Sequence, residues 1–100
     1  MSKRVDGTQK EIVEGLGKLG MDVYSTAMVS NGFPDICVFW RGDSWVLELK
    51  NGNLPPSKRK LTPDERKFWL GFKGRGGIVH SLDEAVKLIL AGRQLKQNKF

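Results

Sequence analysis

The 100 residues predict one α/β domain that runs helix, three strands, helix, strand, helix. Three observations carry this. Ser/Thr-x-x-Glu recurs at Thr8 with Glu11, Thr62 with Glu65 and Ser81 with Glu84, each ahead of apolar residues at helical spacing, and so marks three helix starts. Two short β-branched and aromatic runs, Ile36–Trp40 and Trp45–Leu49, flank Gly42-Asp43 and have the pattern of a tight hairpin. The length, with 39% hydrophobic residues, supports a single small core.

The first helix is expected over about Gln9–Leu19, with Ile12, Leu16 and Leu19 in one stripe and Gly20 as its stop. Glu11 lies beside that stripe as a capping-box residue, and Glu14 points away from it. Met21–Val29 alternates as the first strand, with Tyr24 in a packing role. Ser30-Asn31-Gly32-Phe33 forms a turn, where Gly32 serves the bend or lets the backbone approach a phosphate. Pro34 sets the entry to the second strand.

The hairpin brings chemistry together. With Gly42 and Asp43 as the loop, Arg41 faces Ser44, Asp35 faces Lys50 and Cys37 faces Glu48. One side then pairs Ile36 with Leu49, Val38 with Leu47 and Trp40 with Trp45, all apolar; the other gathers Asp35, Glu48 and Lys50. Two adjacent carboxylates repel unless a cation or proton lies between them. Hard oxygen donors suit Mg²⁺, and an ammonium beside them can stabilise developing phosphate charge or position water. The alternative is a plain surface salt bridge between Asp35 and Lys50, which leaves Glu48 unexplained.

Beyond Lys50, the stretch NGNLPPSKRK is a loop with Lys58, Arg59 and Lys60 as a basic run, suited to phosphate contact or to solvation. Pro63 opens the second helix behind its Thr62 cap. Phe68, Trp69 and Phe72 supply its packing face, with Trp69 in the core, while Arg66, Lys67 and Lys73 stay polar and available for phosphate contact. Gly74-Arg75-Gly76-Gly77 is a turn with an exposed Arg75. Ile78–His80 is a short last strand that ends in a structural His80. Leu82, Val86 and Ile89 mark the last helix, which Gly92 ends, leaving residues 93–100 as a frayed basic tail beyond a core of about 8–92.

Composition narrows the function. Residues 1–50 carry six Lys and Arg against seven Asp and Glu, whereas residues 51–100 carry eleven against four, so the net charge of +6 resides in the second half. A basic half beside an acidic cluster suits a polyanion such as nucleic acid. No run is long and apolar enough to span a bilayer, and the start MSKRVDGTQK has no secretory pattern. The lone Cys37 forms no internal disulfide, which fits a reducing cytoplasm.

Pro34-Asp35 followed by Glu48-Leu49-Lys50 resembles the PD-(D/E)XK nuclease signature. Gly32-Phe33-Pro34-Asp35 is similar to the GxPD element of its VRR-NUC branch, and Leu61-Thr62-Pro63-Asp64-Glu65 to the LSPxQ element that opens the next helix. The similarity runs from about residue 11 to about residue 90. It implies a restriction-endonuclease-like αβββαβ core with a mixed sheet flanked by helices, in a Mg²⁺- or Mn²⁺-dependent DNA endonuclease. Stand-alone members resemble Holliday-junction resolvases, cut branched or four-way DNA and tend to be homodimers. On that resemblance Asp35, Glu48 and the Leu49 carbonyl hold the metal, Glu11 is a further ligand or only a cap, and Lys50 acts on water or the transition state. Lys58, Arg59, Lys60, Arg66, Lys67 and Arg75 are the DNA-contacting set. Glu65 stands where the family has Gln, as a helix cap or as a carboxylate near metal-bound water. A DNA-binding module that does not cut, or a sequence-specific restriction nuclease, are the other readings.

Overall fold

The computed structural model describes residues 7–29 and 31–98, with side chains up to residue 91. The first helix, α1 (Gly7–Lys18), buries Gln9, Ile12 and Leu16 on one stripe. Thr8 has helical backbone inside α1, so its box with Glu11 does not start the helix. Leu19 is exposed, because Gly20 at φ +92° turns the chain out of the helix there.

The four strands are β1 (Asp22–Ser25), β2 (Ile36–Trp40), β3 (Asp43–Leu49) and β4 (Gly76–Val79). They lie side by side in that order, antiparallel except for the parallel pair β3–β4. The expected first strand is cut short. Thr26 N–H bonds to the Asp35 carbonyl at 2.9 Å and Val29 N–H to the Thr26 carbonyl at 3.0 Å, which folds the chain into a turn. Ser30 of the expected turn lies outside the described residues.

The hairpin turn is Arg41-Gly42 rather than Gly42-Asp43. Both have positive φ, 50° and 83°, as a two-residue hairpin of the commonest type demands. Asp43 instead begins β3, buried and paired with Arg75 at 3.4 Å. Ile36 therefore faces Leu47, Val38 faces Trp45 and Trp40 faces Asp43, and the register continued one step puts Asp35 level with Glu48, not Lys50. The correction is two residues, an even number, so every side chain keeps the face expected of it.

The inner face of the sheet presents Ile36, Val38, Trp45, Leu47 and Val79 to Ile12 and Leu16 of α1 and to Ala85 and Ile89 of the last helix, α3 (Leu82–Asn98). Leu82 and Val86 lie at the margin of this core. Gly92 does not end α3. The residues after it, Arg93-Gln94-Leu95-Lys96-Gln97, are good helix formers, which offsets one glycine at about 1 kcal/mol. The expected frayed tail is thus helical to Asn98, and residues 99–100 lie outside the described residues.

Helix α2 (Pro63–Gly71) connects β3 to β4 after a short 3₁₀ turn (Pro56–Lys58). Trp69 is half-buried rather than core; it joins Phe33, Phe68 and Phe72 in a separate aromatic cluster with ring centroids 5.0–5.6 Å apart. β4 begins earlier than expected, at Gly76, whose added Cβ would lie 2.0 Å from the Val46 carbonyl oxygen. No helix of the described residues is long and apolar enough to cross a membrane.

Candidate active site

Asp35 lies where the chain enters β2. Its N–H donates to the Leu47 carbonyl at 3.0 Å, and its Oδ2 accepts the Leu49 N–H at 2.8 Å. The Thr26 hydroxyl bonds the Pro34 carbonyl, which tethers this entry from the β1 side. Side-chain alternation in β3 puts Glu48 on the same outer face, 1% exposed, beside Asp35 at 7%. Lys50, one alternation further, brings its ammonium 3.6 Å from Glu48 Oε2.

Glu65 completes the group from α2. Its Oε1 accepts the Thr62 N–H at 2.9 Å, while the Thr62 hydroxyl accepts the Glu65 N–H at 3.2 Å, a full capping box. The same Oε1 takes the Lys50 ammonium at 2.9 Å. One oxygen atom thus serves both as the helix cap that the sequence suggests and as an ion-pair partner of Lys50 that it does not. The helix is held there by Gly32, whose φ is +79° and whose added Cβ would lie 2.3 Å from the Asp64 carbonyl carbon. Only glycine fits both the conformation and the space.

The electrostatics follow from burial. Glu48 is pushed up to about 9, first by loss of solvent, then by the Asp35 charge and a hydrogen bond with Asp35, with Lys50 opposing. Burial alone would lower the Lys50 ammonium. The Glu65 hydrogen bond and the charges of Glu65, Glu48 and Asp35 outweigh it and raise Lys50. Glu65 is lowered: burial acts against its ionised form, but the Thr62 N–H and the Lys50 ammonium prevail.

Glu48 Oε1 is buried with no hydrogen-bond partner. A buried acceptor left unpaired costs about 1–3 kcal/mol, and more when charged. A hard divalent cation would satisfy it, neutralise the carboxylate repulsion and displace the proton, so the chemistry of Asp35 and Glu48 fits such an ion. Among the described residues no three or more His, Cys, Asp or Glu side chains gather as a metal cluster. Glu11 in particular is exposed and lines a surface pocket with Lys10, Glu14, Lys18 and Leu82.

The expected DNA-contacting residues divide. Lys58, Lys60, Arg66 and Lys67 are exposed. Arg59 is half-buried with an unpartnered, buried Nε, and its charge helps lower Glu84. Arg75 is not a free surface cation, because it pairs with Asp43 and lies 5.9 Å over the Trp45 ring. His80 is held by Glu84, whose Oε1 lies 2.9 Å from both the His80 backbone N and Nδ1. A carboxylate oxygen reaching back to His80 rather than to Ser81 is a capping box displaced by one residue, which the Ser81-x-x-Glu84 spacing only half reveals.

No family model matches the chain, and no curated protein matches it. A solved structure titled "VRR_NUC domain" matches at 32% identity, covering 82% of this chain and 89% of the other, with a TM-score of 0.49.

Proposed function

The chain belongs to the VRR-NUC family, a branch of the PD-(D/E)XK nucleases, and from that premise we propose that it is a divalent-metal-dependent DNA endonuclease acting on branched DNA. The supporting observation is the buried Asp35–Glu48 pair with an orphaned Glu48 oxygen and the Lys50 ammonium beside it. Asp35, Glu48 and the Leu49 carbonyl would hold Mg²⁺ or Mn²⁺. When bound, the ion activates water for attack on phosphorus and neutralises charge on the phosphate.

The protein's own groups supply the rest. Asp35 is fastened to the Leu49 N–H, so the side-chain donor and the proposed main-chain donor move together. Lys50 places a fixed positive charge where charge on the phosphoryl oxygens grows, and Glu65 restrains its rotation. Lys58, Lys60, Arg66 and Lys67 follow the phosphate backbone without reading sequence. A homodimer would put one site on each of two strands, as a four-way junction requires, and cytoplasmic action fits the free Cys37, whose thiol burial raises.

The test is cleavage of plasmid, flap, fork and four-way-junction DNA with Mg²⁺ or Mn²⁺ against EDTA. Branched substrates are expected to be cut in metal alone, and Asp35→Ala or Glu48→Ala to abolish cutting while the protein stays folded. Wild-type rates from Asp35→Ala would refute the assignment. Binding without cutting in any metal would mark a DNA-binding module instead.

A further inference from the structure

Both helices that build the core, α1 and α3, pack on the inner face of the sheet. The outer face, which carries Asp35, Glu48 and Lys50 at one end, leaves Tyr24 60% and Phe39 45% exposed at the other. The register explains why they share it: Tyr24 is opposite Cys37, and Phe39 is the next residue on that face of β2. Their rings meet edge-on, with centroids 5.9 Å apart and planes at 72°. Each ring props the other, so neither collapses onto the sheet.

We infer that Tyr24 and Phe39 form a stacking platform for unpaired bases of the DNA strand being cut. The inference rests on the nuclease reading. Exposed aromatics on a sheet face bind single strands because every base has a π-face, and alanine substitution of such a ring weakens binding roughly tenfold or more. Phe39 is four residues from Asp35 along β2, roughly 13 Å, a span of about four stacked nucleotides and fewer unstacked ones. Asp22, exposed opposite Phe39, repels phosphate at this end. The strand there is accordingly held by its bases, while the lysines and arginines of the second half hold its backbone. A second copy of the chain is the other occupant to weigh. The face measures roughly 300 Å² from strand number and length, against about 800 Å² per partner in a stable interface, so it is too small to be one alone.

Fluorescence anisotropy of a labelled single-stranded 20-mer and its blunt duplex, in EDTA, tests this with wild type, Tyr24→Ala, Phe39→Ala and Tyr24→Phe. Each alanine is expected to weaken single-strand binding roughly tenfold with duplex binding unchanged, and Tyr24→Phe to bind as wild type. Should an alanine variant melt early, Tyr24→Leu or Phe39→Leu keeps the apolar bulk without a ring and is expected to show the same selective loss. Equal losses on both DNAs, no loss, or no single-strand binding by wild type would overturn the platform. So would sedimentation that shows a wild-type dimer falling to monomer in the variants, which would assign the face to a second copy. Failure of the wild type to cut any DNA with Mg²⁺ or Mn²⁺ is a separate result that removes the nuclease reading itself.

Discussion

Glu48 sets the pH behaviour of the metal-free protein. Its native value is raised from 4.5 to about 9, so between those limits the native state holds a proton that the unfolded chain has released. The contribution of Glu48 to stability then falls as pH rises through that window, the reverse of the usual carboxylate contribution. Thermal melts in EDTA from pH 5 to 8.5 are expected to show the decline, Glu48→Gln to flatten it, and Mg²⁺ or Mn²⁺ to raise the melting temperature most at high pH. Glu65 gives a second prediction. Glu65→Gln can still close the capping box, so stability should change by no more than about 1 kcal/mol. It loses the ionic hold on Lys50, so turnover should fall about tenfold to a hundredfold at nearly constant KM. Unchanged turnover would leave Glu65 a cap alone.

At the scale of elements, the close approach of the turn before β2 to the first turn of α2 makes Gly32 the most sensitive glycine near the site. Gly32→Ala puts a side chain at φ +79° and into the Asp64 backbone. It is expected to cost more than about 1–3 kcal/mol by denaturant unfolding, and to lower activity beyond that destabilisation because Asp35 and Glu65 are both displaced. The same elements show what is legible in the sequence. The outer-face grouping of Asp35, Glu48 and Lys50 follows from period-two alternation, and it survives a register error because that error is even. The turn itself is not legible, because Gly-Asp matches a common hairpin pair, whereas the structure accepts positive φ at Arg41 to place Asp43 against Arg75. α3 runs past Gly92 because helix propensity tolerates an isolated glycine. The fates of Arg59, Arg75 and Trp69 depend on neighbours distant in sequence, which local patterning does not encode.

Across the whole molecule, the positive charge predicts a strongly salt-dependent affinity for duplex DNA. Replacing exposed Lys58 and Lys60 with Ala should reduce the slope of log affinity against log salt by about 0.9 for each phosphate no longer neutralised, for every sequence alike. Arg59→Ala should act differently, loosening the loop more than changing the slope, because its guanidinium is half-buried, with a buried Nε, rather than free in solvent. One further property follows from the ion pair between Lys50 and Glu65. It closes residues 50–65 into a ring whose two ends are fixed independently, by the Lys50 N–H on the Val79 carbonyl at 3.0 Å and by the α2 capping box. Inside the ring, Asn53 and Leu54 are exposed. Doubling the length of a closed loop costs only about 0.6 kcal/mol. A peptide of a dozen residues inserted between Asn53 and Leu54 is therefore expected to leave melting temperature and cleavage nearly unchanged, which makes this the place where the domain can acquire a new recognition segment or a reporter without disturbing its chemistry.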